Sequence, residues 1–169
     1  MNILADDLIN YHCPRWDELP EIELYIDQVV SILQNNLSLF LKDEDSPIIT
    51  SSMINNYVKK EVIKSPIKKK YNKDHLARLF VICICKRLMS ISEVKDCISS
   101  FERFYSVSEG YNLFCDEIEV ALKNTFTPKS ATPSILLETD VREIATLKAI
   151  ASAFANSLLV DRLIEMRNR

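Results

Sequence analysis

A single glycine, Gly110, in 169 residues constrains this chain more than any other feature. Glycine reaches positive φ without steric cost and lets a backbone approach a ligand closely. With one glycine, phosphate-cradling Gly-rich loops, dinucleotide-binding turns and tight primed hairpins are almost excluded. Helices remain, and the chain has the apolar content to pack them: 47% of residues are hydrophobic. A mainly α protein follows, built as one domain or as a small domain with an appendage.

Hydrophobic spacing marks the helices. Residues 20–41 read as one long helix with Pro20 at its first position and an inward stripe of Ile22, Tyr25 or Ile26, Val29 or Val30, Leu33, Leu37 and Phe40 or Leu41. Trp16 anchors the irregular lead-in before it. A second helix covers 51–60, with Thr50 or Ser51 as N-cap. Asp74 caps a third, about 74–88, which is apolar nearly all round and so the most buried. Ser90-x-x-Glu93 and Ser106-x-x-Glu109 are capping boxes that open two more, the second running to about Phe126. Asp140-x-x-Glu143 opens the last, of up to about 28 residues.

The segment 50–73 carries the chemistry. On a wheel of 51–60, Ser51, Ser52, Asn55, Asn56, Lys59 and Lys60 share one half, and Met53, Ile54, Tyr57 and Val58 the other. Asn can read adenine edges, Ser several edges or phosphate, and Lys guanine or phosphate. Pro66 breaks the helix pattern, and Lys68-Lys69-Lys70-Tyr71 follows. Residues 50–87 hold ten Lys or Arg against two acidic residues, so with the chain at −3 the remainder carries −11. A basic middle between acidic flanks suits one DNA-facing surface. The plainer interpretation is an ordinary amphipathic helix and a solvated lysine run.

Other chemistries find little support. Five cysteines occur without a CxxC, and Cys83 and Cys85 lie in the apolar run VICIC, as buried thiols do. His12 beside Cys13 does not make a metal site, and His75 stands alone at a helix start. No metal or cofactor is expected, and no catalytic constellation is present, so the chain is read as a non-enzyme. The start MNILADDLINYHC is no signal peptide. No run of about 18 apolar residues exists, so no membrane partner is expected. A reducing cytoplasm fits the cysteines.

The run from Ile49 to Ile98 resembles the heart of a MerR-type winged helix-turn-helix. Tyr57 stands near the aromatic position of the recognition helix, and Val62-Ile63 where that family has Gly-Leu. Lys68 to Lys70 match the basic wing and Tyr71 the tyrosine after it. Asp74, Leu76, Leu79 and Ile82 follow, and Ser90-Ile91-Ser92-Glu93-Val94 matches the next helix start. The run YHCPRWDELPEIELYIDQVVSIL is similar to a bacterial family known as a domain of unknown function, number eighteen thirty-six. Its members are described as candidate MerR-like regulators, and the likeness covers nearly the whole chain.

Together these imply a mainly α protein with a MerR-like (winged) helix-turn-helix core and additional N- and C-terminal helices. Residues 1–104 would form the DNA-binding region. Residues 105–169 would pack on it or mediate dimerisation. The expected function is a DNA-binding transcriptional regulator. Ser52, Asn55, Asn56 and Lys59 would face base edges. Lys60, Lys64, Lys68, Lys69, Lys70 and Lys73 would meet phosphate, and Arg78 either joins them or faces solvent. The expected partners are double-stranded DNA and a second copy of the chain, as a homodimer. The seam Ile144, Leu147, Ala151, Phe154 and Leu158 serves either that dimer or the monomer core. Tyr111, Phe114 and Phe154 either line an effector pocket or are plain core. The alternative function is a non-catalytic protein-interaction module that keeps the fold.

Overall fold

The computed structural model describes residues 3–41, 47–127 and 142–167. Within them lie seven α-helices: α1 Ile3–Ile9, α2 Ile26–Leu37, α3 Ser51–Lys59, α4 Lys73–Cys85, α5 Ile91–Phe101, α6 Val107–Phe126 and α7 Arg142–Arg167. The chain divides into two compact units, Pro14–Asn112 and Met1–Cys13 with Leu113–Arg169.

In the unit Pro14–Asn112, α4 is the centre and packs on α2 and α5. Nine of its 13 residues are buried, including Leu76, Leu79, Phe80, Ile82 and Ile84. Burying each large side chain contributes about 1.5–3 kcal/mol. α2 lays Val29, Leu33 and Leu37 into this core at intervals of four, and α3 adds Ile54 and Tyr57. Gln34 Nε2 donates to Ile49 O at 3.1 Å and Arg87 to Phe40 O at 3.4 Å. Lys86 Nζ donates to Ile48 O, so the entry to α3 is tied from two sides. Tyr111 packs on Phe80 at a ring separation of 6.1 Å.

In the second unit, α7 buries Leu147, Ala151, Phe154, Ala155 and Leu158, and α6 buries Phe114, Cys115, Ile118, Ala121 and Leu122. By length and composition α7 could cross a membrane. One stripe of it is buried in this unit, while Val160, Leu163, Ile164 and Met166 are exposed. Cys13 N donates to Glu119 Oε1 at 2.8 Å, holding the end of the N-terminal segment on α6.

Several sequence expectations need correction. A winged helix-turn-helix core is not formed: no β-strand occurs among the described residues, and only the isolated antiparallel bridges Ile67–Lys70 and Leu24–Tyr71 are present. The physical reason lies at Asn72. The next hydrogen-bonded pair of a hairpin would be Ser65 with Asn72, but Asn72 N–H donates to His75 Nδ1 at 3.1 Å. Tyr71 spends both of its backbone groups on Leu24, each at 2.8 Å.

That same pairing overturns the start of the long helix. Residues around Leu24 are extended, α2 begins at Ile26, and Ile22 and Tyr25 are exposed rather than part of a stripe. The cap of α4 is Asn72, whose Oδ1 accepts from His75 N at 3.2 Å, not Asp74. Both capping boxes are in place, with Ser90 N to Glu93 Oε2 at 2.7 Å and Ser106 N to Glu109 Oε2 at 2.9 Å. These bonds hold both carboxyls below the ordinary range. The expected cap at Asp140 lies outside the described residues.

Candidate nucleic-acid interface

α3 is a helix because Thr50 Oγ1 accepts from Met53 N at 3.2 Å and Ile54 and Tyr57 give it one buried edge. The opposite face carries Ser52, Asn55, Asn56 and Lys59, all exposed. The helix ends on Lys60, and Glu61 adopts φ 55°. Val62 N bonds Tyr57 O and Glu61 N bonds Val58 O, both at 2.9 Å. This is a Schellman ending with glutamate in the seat that glycine usually fills.

The basic loop is a tight turn. Ile67 N bonds Lys70 O at 3.2 Å and Lys70 N bonds Ile67 O at 2.9 Å. Lys68 and Lys69 between them have φ 50° and 64°. Positive φ at both central residues is the type I′ pattern, normally Asn-Gly. The scarcity of glycine therefore did not prevent a primed turn. The chain forms one with two lysines, at a cost on the order of 1 kcal/mol each.

The ten cations of residues 50–87 separate into two groups. Lys86 and Arg87 bond backbone carbonyls. Arg78 is only 14% exposed at its side chain, pairs with Glu102, and lines a cleft with Lys64. Lys73 lies 3.7 Å from Glu21 and 5.3 Å over the Trp16 ring. Lys70 sits 5.5 Å over Tyr25, a contact that leaves the ammonium partly open. Lys59, Lys60, Lys64, Lys68 and Lys69 are exposed, with no ion pair among the described residues.

Two residues outside the expected set shape this surface. His75 is buried and clamps the loop: its Nδ1 lies 3.1 Å from Asn72 N and 2.6 Å from Asn72 Oδ1, and its Nε2 lies 3.2 Å from Lys64 O, so which nitrogen carries the proton sets which of these contacts is a hydrogen bond. Burial holds its pKa below 6.5, against hydrogen bonds to the Lys64 and Ser65 backbone that pull the other way. Lys95 reaches from α5 to Lys60 O at 3.4 Å and to Glu61 Oε2 at 3.8 Å. Asn72-x-x-His75 has the spacing of a capping box with imidazole in place of the carboxylate. That spacing was the available signal for His75, whereas nothing local announces Lys95.

Burial pushes the Cys83 and Cys85 thiols up to about 12, which suits inert core residues. Among the described residues no group of three or more His, Cys, Asp or Glu gathers within reach of a metal ion.

Residues 14–114 match the family described as Domain of unknown function (DUF1836). The chain belongs to the DUF1836 family. No curated protein and no solved structure matches it. The match covers 14–114 rather than nearly the whole chain, and it coincides within two residues with the unit Pro14–Asn112. The family description carries no activity, and the MerR-like winged character expected from the sequence is not supported. All ten candidate residues lie within the DUF1836 domain.

Proposed function

We propose that this DUF1836 protein is a cytoplasmic transcriptional regulator that binds double-stranded DNA. The face of α3 meets the major groove with Ser52, Asn55, Asn56 and Lys59. Lys60, Lys64, Lys68 and Lys69 meet phosphate, with Lys70 and Lys73 at the edge. The observation that carries this reading is the pair Lys68-Lys69. A primed turn with two lysines is a poor choice for the fold alone, and strained positions that persist tend to serve function. The exposed amides of α3 lie on the same basic segment. A second copy would supply the paired half-site.

The test is selection of bound duplexes from a random DNA pool, followed by anisotropy across a salt series. Each phosphate contact contributes about −0.9 to the slope of log K against log salt. Changing Lys68, Lys69 and Lys70 to Ala should flatten that slope and weaken all duplexes alike. Asn55→Ala with Asn56→Ala should relax sequence preference at an unchanged slope. If the triple lysine variant keeps both affinity and slope, the turn is not at the interface.

A second reading has its own observation. Ile22, Tyr25 and Ile67 are 69%, 57% and 67% exposed around the basic turn. Phosphate contacts have no use for such apolar area, whereas an acidic protein partner would cover it. Absence of any binding to random duplex DNA at low salt would favour this protein-interaction module.

A further inference from the structure

A cleft of about 390 Å³ opens beside the end of α3, between the loop 62–65, α4 and α5. Its apolar wall includes Val58, Val62, Ile63 and Ile98, and its polar wall carries Lys64, Arg78, Lys95, Ser65 and Ser99 with the carboxylates of Glu61 and Glu102. Three cations face two carboxylates, so the site holds a net positive charge. We propose that this cleft is a binding site for a small organic phosphate, with the anion held by Arg78 and Lys95 and a short apolar body against Val58 and Ile98.

Arg78 carries the inference. Its side chain is 14% exposed, and its ion pair is with Glu102 on α5. A guanidinium offers five N–H donors in a planar fork. One carboxylate leaves further donors on a side chain that lines the cleft, and a phosphate can take two at once. Glu102 is 37% exposed at its side chain and can swing aside. Lys95 is the second cation. It is 40% exposed and its carboxylate partner, Glu61, is 87% exposed at 3.8 Å, a contact of little strength that an incoming dianion outcompetes. Ser65 and Ser99 add hydroxyl donors at the rim. The volume lies in the range of small-molecule sites, and the mixed wall suits a ligand with one charged end. The site adjoins the DNA reading at Lys64, which lines the cleft as well, whereas Arg78, Lys95, Ser65 and Ser99 belong to the cleft alone.

The experiment is an amide chemical-shift titration of the full chain with phenyl phosphate and with inorganic phosphate, against sodium chloride at matched ionic strength. Saturable shifts on residues 61–65, 78 and 95–102 are expected, with phenyl phosphate tighter than inorganic phosphate. Arg78→Gln should weaken binding by about tenfold or more. Glu102→Gln removes the competing carboxylate and should tighten it, which gives a readout of opposite sign should the Arg78 variant fold poorly. Shifts that do not saturate, or that saturate equally without the cleft residues moving, overturn the site. The phosphate could instead come from a DNA backbone. In that case Arg78→Gln would weaken duplex binding as much as loss of Lys68 does, and free phosphate esters would not saturate the cleft, which also overturns the proposal.

Discussion

Among the described residues, three hold positive φ without being glycine: Glu61, Lys68 and Lys69. At Glu61 the cost has no evident return, since its carboxylate is 87% exposed and 3.8 Å from Lys95. Glu61→Gly should therefore raise stability by about 0.5–1 kcal/mol, read as a higher urea midpoint at constant slope. At the turn, Lys68→Asn with Lys69→Gly should also stabilise, because Asn-Gly is the preferred type I′ pair. The same double change should cost DNA affinity and flatten the salt slope by about 1.8, two phosphates' worth. A variant that gains stability and binds as before would take the tip out of the interface.

His75 is the third residue-scale test. Its folded pKa lies below 6.5, so between the two values the unfolded chain binds the extra proton. Stability should then be full above pH 6.5 and fall as the pH drops below it, through the window toward the folded value. The cause is burial, which disfavours the charged imidazolium in the folded chain. His75→Gln keeps a capping residue and should lose this dependence, measured as the difference in melting temperature from wild type between pH 7.5 and 5.5.

At the scale of elements, sequence and structure agree where the signal is local. Ser90-x-x-Glu93 and Ser106-x-x-Glu109 start helices because the reciprocal bonds need only four consecutive residues. Ile54 and Tyr57 on one side of α3, against Asn55 and Asn56 on the other, follow from helical period alone. Gly110 inside α6 blurred the start of that helix, yet it has ordinary helical geometry. A Cβ there would meet Phe101 Cδ1 and Tyr105 Cβ at 3.8 Å, plain van der Waals contact. Gly110→Ala should then stabilise by about 0.5–1 kcal/mol through backbone entropy, and thermal unfolding will show it. The start of α2 was not legible, because the segment 20–25 has the apolar spacing of a helix while Leu24 bonds a residue 47 positions away.

At the scale of the molecule, charge is segregated rather than abundant. The unit Pro14–Asn112 has fourteen basic and fourteen acidic residues, so its +8 middle faces −8 in its own flanks. The two meet in the fold, where Lys73 lies 3.7 Å from Glu21 and Arg78 pairs with Glu102. The expected seam of α7 is spent inside its unit, since Leu147, Ala151, Phe154 and Leu158 are buried. What α7 leaves exposed is its last turns: Val160, Leu163, Ile164 and Met166 are 53%, 56%, 48% and 61% exposed. If the homodimer uses α7, Leu163→Glu with Ile164→Lys should convert it to monomer in light scattering while leaving the melting temperature of the unit nearly unchanged. A double variant that stays dimeric would move the contact elsewhere.

Local chemistry in the sequence determined the helical class, the capping boxes, the split faces of α3 and the concentration of charge, because each depends on residues within about one or two turns of each other. Tertiary structure decided the rest. Asn72 is committed to His75 and Tyr71 to Leu24, so the basic loop has no partners from which to extend a strand. Arg78 pairs with Glu102 across the fold and lies in the cleft beside Lys64. One glycine in the chain said that primed turns should be absent. The pairing of Ile67 with Lys70 shows that backbone hydrogen bonds and anchoring on both sides can hold lysines where glycine would rest without strain.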